Sequence, residues 1–165
     1  MSATAAPSML GNWEREARMA ELYARLATAA RDPSTRRQLE RMAADERRHA
    51  EAWAGYLKNC GIAVPAKRSD AGAGALALLA RVIGVGPVMS MAGLAEGRIL
   101  RTYLGQMTDL DDDAAKMILR ELIPEESAHA REQSPEGAEE SWHRGGIESI
   151  RNVIYGVNDG LTATL

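Results

Sequence analysis

The sequence predicts an all-α protein, a four-helix bundle of two antiparallel hairpins joined by a long crossover that contains a short helix. Ala, Leu, Met, Arg and Glu dominate the chain and β-branched residues are sparse, so local propensity favours helix throughout. Apolar residues recur at spacings of three and four in four segments, which is the period of an amphipathic helix. The connections between these segments are short, long and short, as that bundle topology requires.

The first hairpin is predicted on either side of Asp32 and Pro33. One helix covers about 12–31, and a second runs from Pro33 to about residue 60, with Asp32 as its N-cap and Pro33 in its first turn. Both have an apolar stripe at helical spacing. The first stripe is Met19, Leu22, Tyr23 and Leu26; the second is Leu39, Met42, Glu46, His49, Trp53, Leu57 and Cys60. The second stripe therefore places two ionisable residues inside a hydrophobic seam.

The second hairpin follows a long connection, residues 61–86, which includes a short apolar helix at about 75–83. A third helix is predicted at about 87–107 and a fourth at about 111–134, with the acidic run 109–113 as its cap. Pro124 is expected to kink or locally open the fourth helix. The inward residues are Ala92, Glu96, Ile99, Leu100 and Tyr103 in the third helix, and Leu119, Leu122, Glu126 and His129 in the fourth.

Composition excludes several classes of protein. At 165 residues the chain suits one domain with a real core, and a net charge of −3 with interspersed signs gives no footprint for nucleic acid. The single cysteine excludes an internal disulfide and suits a reducing compartment, and the N-terminus lacks a secretory signal. Residues 71–95 are largely apolar, but Arg81 and the break at 84–87 favour a buried crossover over a membrane span.

The chain repeats its carboxylate and imidazole positions at an offset of 80 residues. Tyr23 and Tyr103 obey the same offset, although the two halves share little else. Such a repeat indicates that chemistry, more than packing, constrains these positions. The six candidate metal ligands are Glu16, Glu46 and His49 in the first half, and Glu96, Glu126 and His129 in the second.

The number of residues between each glutamate and the hairpin turn places these ligands at one level along the helices. Glu16 precedes the Asp32 turn by 16 residues and Glu46 follows it by 14, which places both roughly 20 Å from the turn at a rise of about 1.5 Å per residue. Glu-x-x-His presents both side chains on one helix face. Four buried carboxylates would take up protons unless cations compensate them. Two divalent ions do so, and oxygen ligands with two imidazoles suit iron or manganese.

At these residues the chain resembles rubrerythrin and its ferritin-like di-iron relatives, through Glu16 with Tyr23 and the segments DERRHA (45–50) and EESAHA (125–130). The resemblance implies two iron ions, for which manganese or zinc substitutes. It also implies bridging carboxylates, terminal ligands, and hydrogen bonds from Tyr23 and Tyr103 to the carboxylates. The bridging residues would be Glu46 and Glu126, and the terminal ones Glu16, Glu96, His49 and His129. Gly93 and Ile99 stand where a rubrerythrin carries an extra third-helix Glu, and no Cys₄ rubredoxin module is present.

The last 16 residues carry a second resemblance. The segment 150–165 (IRNVIYGVNDGLTATL) is similar to the opening of the first membrane helix of vacuolar iron transporter–like proteins. It implies a membrane-bound ferritin, with a di-metal bundle at 12–134 and a linker and truncated membrane helix at 135–165. Arg144 and Arg151 would place the bundle on the cytoplasmic side. By analogy, such bundles pair as homodimers.

The expected function is therefore that of a ferroxidase, which binds Fe²⁺ and oxidises it with O₂ or H₂O₂ for iron export. A rubrerythrin-like peroxidase and a non-catalytic metal-sensing or dimerisation domain are the alternatives. Glu14 and Glu21 compete with Glu16 as ligands. Glu51 and Glu132 are either accessory metal sites or solvated charges, and Cys60 and Trp53 are expected to serve packing.

Overall fold

The computed structural model describes residues 5–66 and 70–133, and these ranges form five α-helices without a strand. The predicted all-α class is confirmed. The helices are α1 (Ala5–Ala29), α2 (Pro33–Asn59), α3 (Ala71–Ile83), α4 (Val85–Asp109) and α5 (Asp113–Gln133).

The ends of α2 follow from local chemistry. The Asp32 side chain accepts a hydrogen bond from the Thr35 backbone N–H at 2.8 Å, and Pro33 opens the helix. Gly61 has φ of 73°, a left-handed conformation that glycine adopts without steric cost. The N–H of Ile62 then returns to the Leu57 carbonyl at 2.9 Å, which closes the C-terminus. Both predicted boundaries of this helix are confirmed.

The other four helices differ from their predicted bounds by two or more residues at one end or both. α1 begins seven residues earlier than expected, and α3 begins at Ala71 because the Asp70 side chain caps the N–H groups of Gly72 and Ala73. That cap was not identified from the sequence. α5 is helical through Pro124, so the predicted opening is not observed, and the kink predicted as its alternative stays a prediction. Buried side chains on both sides of Pro124 hold this helix against the core.

The helices pack in pairs around one apolar core. α1 packs along α2, α4 packs along α5, and α3 lies against α1 and α4. Leu26, Leu39 and Trp53 are fully buried in this core, with Tyr23 and Tyr103. All the predicted inward residues are buried except Cys60, which is only partly so.

Side-chain contacts show the relative direction of the helices across the two pairs. Along α1, residues Asn12, Glu16 and Tyr23 contact residues 106, 103 and 96 of α4 in turn, so these helices run in opposite directions. Along α2, residues 41, 49 and 56 contact residues 132, 125 and 112, so α2 and α5 are also antiparallel. The middles of all four helices therefore meet at one level.

Within the ranges 5–66 and 70–133, none of the helices has the length and apolar character needed to cross a bilayer. The apolar stretch 71–95 is divided at Gly84, where φ is 90°, into α3 and α4. The expected linker and membrane segment (135–165), with Arg144 and Arg151, lies outside the described residues. The domain boundaries at 12–134 and 135–165 therefore remain a prediction.

Candidate metal centre

The structure brings all six predicted ligands together in the core. The four glutamates are fully buried, and His49 and His129 are 1% and 4% exposed. They form two overlapping groups, in each of which one oxygen or nitrogen atom per residue lies within 4.8 Å of the others. Glu46 and Glu126 belong to both groups. The first group adds Glu16 and His49, and the second adds Glu96 and His129.

Eight polar atoms of these residues are buried without a hydrogen bond. Both carboxylate oxygens of Glu46 and of Glu126 lack a partner, as do one oxygen each of Glu16 and Glu96 and the Nδ1 atoms of both histidines. His49 Nδ1 lies 2.8 Å from Glu126 Oε1, and His129 Nδ1 lies 3.0 Å from Glu46 Oε1, without hydrogen-bond geometry. Buried polar atoms are otherwise almost always paired. Oxygen and imidazole donors converging in this way fit two divalent cations.

The electrostatics of the metal-free site reflect crowding of buried negative charge. Burial raises the pKa of Glu46 and of Glu126 to about 7. Burial and the neighbouring Glu126 raise the pKa of Glu96 well above its ordinary value. Glu16 behaves differently: although burial opposes ionisation, the neighbouring His49 and Glu46 and the hydroxyl of Tyr103 hold its pKa below the ordinary value. The site therefore holds protons that metal binding must displace.

Each histidine is oriented by an acidic residue on the opposite hairpin. His49 Nε2 lies 2.8 Å from Glu125 Oε2, and His129 Nε2 lies 3.4 Å from Asp45 Oδ2. The Arg48 guanidinium joins the two carboxylates, at 2.8 Å from Asp45 and 2.5 Å from Glu125. A partner on Nε2 leaves Nδ1 free to face a metal. Sequence analysis missed both residues, although they precede the motif glutamates and obey the 80-residue offset.

The two tyrosines cross between the halves of the chain. The Tyr23 hydroxyl donates to Glu96 Oε1 at 2.5 Å, and the Tyr103 hydroxyl donates to Glu16 Oε1. Each tyrosine therefore holds the terminal carboxylate of the other half, not the glutamate seven residues before it. Because each phenol occupies one oxygen, the second oxygen of Glu16 and of Glu96 is left free toward the centre.

The position of the extra rubrerythrin carboxylate is filled by packing. Gly93 contacts α5 so closely that an added Cβ would lie 3.0 Å from the Cβ of Gln133. Ile99, on the other side of Glu96, is buried in the core. The amide of Gln133 donates to the Tyr23 hydroxyl at 2.8 Å. Neither position carries a carboxylate, as the sequence predicts, and the space beside Gly93 is taken by Gln133.

The competing acidic residues lie away from the centre. Glu14 and Glu51 are exposed. Glu21 pairs with Arg25 at 2.7 Å and accepts from the Asp70 backbone, and Glu132 pairs with Arg41 at 2.5 Å. Of the three candidates on α1, only Glu16 reaches the cluster.

Residues 16–154 match the profile of the family described as ubiquinone biosynthesis protein COQ7. The matched region begins at Glu16 and includes all six residues of the cluster. Comparison with curated proteins and with solved structures gives no match.

Proposed function

Because the chain belongs to the family of the ubiquinone biosynthesis protein COQ7 and is a ferritin-like di-iron domain, we propose that it is a di-iron oxidoreductase with ferroxidase activity. Its substrates would be Fe²⁺ and either O₂ or H₂O₂. The observation that carries the proposal is the set of eight unpaired polar atoms buried at one level of the helices.

In this proposal the residues divide by position. Glu46 and Glu126 would contribute to holding both iron ions, since they belong to both groups. Glu16 and His49 complete one site, and Glu96 and His129 the other. Bound iron supplies one-electron chemistry between the ferrous and ferric states. Four carboxylates against two divalent ions leave the core near neutrality, and they favour the higher charge of the ferric state.

The surrounding side chains keep the ligands in place. Glu125 and Asp45 accept from the outer nitrogens of the histidines, which sets the tautomer with Nδ1 free. Tyr23 and Tyr103 hold Glu96 and Glu16 by one oxygen each. Such outer partners raise ligand basicity and prevent the side chains from turning away.

A second candidate is hydroxylation of a ubiquinone precursor, which the family match favours. An organic substrate of that size needs a cavity beside the metal. Two surface cavities of about 550 and 450 Å³ are not lined by any of the six ligands. The complete burial of the four glutamates and the near-complete burial of the two histidines support small oxidants and Fe²⁺ as the substrates, and ferroxidase activity is therefore the primary proposal.

The wider setting remains part of the proposal. We further propose that the four-helix bundle has rubrerythrin-like ligand roles and is joined through residues 135–165 to an iron-transporting membrane domain. The bundle would lie on the cytoplasmic side of that domain as a homodimer. A peroxidase with an external electron donor and a metal-sensing domain without turnover are the other possibilities that the test below distinguishes.

Stopped-flow oxidation of Fe²⁺ tests the proposal. We expect faster aerobic oxidation with the protein than without it, and loss of this acceleration in Glu46→Ala and Glu126→Ala. Glu121→Ala is the matched control, because this residue lies on the same helix as Glu126 but is exposed. An unchanged rate in both ligand variants would refute ferroxidase activity. Product analysis with a quinone precursor tests hydroxylation. Consumption of peroxide that needs an added reductase would indicate a peroxidase. Tight metal binding without turnover would indicate a sensor.

A further inference from the structure

Three aromatic rings lie in series between the candidate metal centre and the surface near the end of α2. The ring centroids of Tyr103 and Trp53 are 6.0 Å apart, and those of Trp53 and Tyr56 are 6.1 Å apart. Tyr103 and Trp53 are fully buried, and Tyr56 is 6% exposed. Rings at these separations are in direct contact, so the series forms an unbroken π-electron route through the core.

Each phenol in the series donates to a carboxylate. Tyr103 donates to Glu16 at the inner end, and Tyr56 donates to Asp112 Oδ2 at 2.8 Å at the outer end. Between them, the Trp53 indole N–H donates to the Tyr103 hydroxyl at 3.0 Å. A phenol loses its proton when it loses an electron. Both tyrosines therefore have a proton acceptor already in place for reversible one-electron oxidation.

The outer end of the series reaches solvent. Asp112 and Cys60 are partly exposed, and Cys60 contacts the Tyr56 hydroxyl one helical turn later in the chain. Lys58 and Asn59 beside them are exposed. A soluble redox protein can therefore approach Tyr56 closely without entering the core.

Within residues 5–66 and 70–133, the structure has no such series around Tyr23 and Gln133 of the other half of the site. Gln133 stands 80 residues after Trp53 and makes the corresponding hydrogen bond, from its amide to the Tyr23 hydroxyl at 2.8 Å. An amide holds a tyrosine in place as well as an indole does, but it cannot be oxidised by one electron under the same conditions. The indole at Trp53 therefore adds a property beyond positioning, and on one side only.

We propose that Tyr103, Trp53 and Tyr56 carry single electrons from a reduced one-electron carrier at the surface beside Asp112 and Cys60 to the candidate metal centre. This inference rests on the proposed oxidoreductase function, in which the centre becomes the oxidant after reaction with O₂ or H₂O₂. It extends the role of Trp53 beyond the packing expected from the sequence.

The transfer balances at each residue. Tyr103 gives one electron to the centre and its phenolic proton to Glu16. Trp53 replaces that electron, whereupon the proton returns from Glu16, and Tyr56 in turn reduces Trp53 while its own proton moves to Asp112. The surface carrier then reduces Tyr56, and Asp112 returns the proton. The net change is one electron moved from the carrier to the centre, with every side chain restored.

The single cysteine allows the path to be driven from outside. We would attach a ruthenium polypyridyl label to Cys60 in the full 165-residue chain, and oxidise it to ruthenium(III) with light and a soluble electron acceptor. Radicals are then identified by transient absorption and electron paramagnetic resonance. We expect a tyrosyl radical that is lost in Tyr103→Phe, and equally lost in Trp53→Phe and in Tyr56→Phe.

Matched controls separate the path from general damage. Trp13→Phe removes a partly buried indole outside the series and should leave the Tyr103 radical unchanged. As a second control, the label is moved to Thr28→Cys in a Cys60→Ser background. Thr28 lies in the last turn of α1, away from Tyr56, and a label there should give no Tyr103 radical. Tyr56→Phe removes only a hydroxyl, so it tests the path even if Trp53→Phe does not fold.

A Tyr103 radical that persists in both Trp53→Phe and Tyr56→Phe overturns the inference, as does a radical that remains on Tyr56 in the unsubstituted chain. Photo-oxidation begins at the label and needs no iron. If Fe²⁺ oxidation occurs but the Tyr103 radical never forms, the path is wrong and the proposed function stands. If the radical forms but Fe²⁺ oxidation is absent, the proposed function is wrong instead.

Discussion

Glu125 accepts from the outer nitrogen of His49 at 2.8 Å, although the two residues lie on different helices and 76 positions apart. Asp45 stands in the same relation to His129 at 3.4 Å. Each histidine is therefore positioned by an acidic residue of the other hairpin. That residue is the one that immediately precedes the glutamate of the other Glu-x-x-His motif. Arg48 contacts both acidic residues and links the pairs.

Loss of this support should weaken metal binding without removing a ligand. We expect Glu125→Gln to lower metal affinity by about 10- to 100-fold, the effect typical of changes to a residue that orients a ligating histidine. Competition with a chelator, followed by atomic absorption, measures the change. Glu121→Gln alters an exposed residue of the same helix and should have no effect. Equal losses in the two variants would contradict the role assigned to Glu125.

The metal-free protein should become less stable as the pH rises from about 5 to above 7. Glu46 and Glu126 keep protons in the folded chain up to about pH 7, whereas the unfolded chain releases them near 4.5. The folded state then binds more protons, so unfolding becomes easier with increasing pH. Burial alone would lower the pKa of His49, but its contacts with Glu126, Glu16 and Glu46 raise it. The stability of the metal-free protein should therefore continue to fall above pH 6.5.

Thermal unfolding of chelator-treated protein across this pH range checks that sign. Metal-loaded protein should show the opposite trend, since protons compete with the metal for the same atoms. The lowered pKa of Glu16 stabilises the folded protein, and this stabilisation is lost only as the pH falls below about 4.5. A metal-free midpoint that rises between pH 5 and 8 would show that the carboxylates are already ionised in the folded chain.

Removing one bridging charge should separate stability from metal binding. In Glu126→Gln an amide replaces a buried carboxylate that lies among three others, so at pH 8 we expect the metal-free protein to unfold at a higher temperature than the unsubstituted chain. The same variant should bind metal more weakly. Differential scanning calorimetry with and without metal measures both effects, and a lower metal-free midpoint would argue against charge crowding at the site.

The close approach of α4 and α5 at Gly93 predicts a cost for any side chain there. An added Cβ would lie 3.0 Å from the Gln133 Cβ, so Gly93→Ala should destabilise the fold by about 1–3 kcal/mol, as overpacking does. Gly105→Ala, in the same helix with no atom within 4 Å of the added Cβ, should instead stabilise by up to about 1 kcal/mol. Denaturant unfolding of both variants checks the difference, and destabilisation by both would indicate a general intolerance of α4 to substitution.

Much of the fold and of the candidate site could be predicted from the sequence, because the information is local or periodic. Asp32-Pro33 and Gly61 terminate helices through contacts within a few residues. The six clustered residues could be predicted because Glu-x-x-His places both of its side chains on one helix face. The distances of Glu16 and Glu46 from the Asp32 turn also bring these two residues to one height. The repeat also contained Asp45 and Glu125, but their contacts could not be predicted because they join different hairpins.

The sequence by itself determined the helices, their inward faces and the six residues that converge. Only the tertiary structure decided which partner each of them meets. Because α1 and α4 run in opposite directions, Tyr23 reaches Glu96 and Tyr103 reaches Glu16, not the glutamates of their own helices. The same packing gives Tyr103 the Trp53 indole and Tyr23 the Gln133 amide. Two halves that repeat in sequence therefore differ in what they connect to, since long-range packing selects partners that local periodicity does not encode.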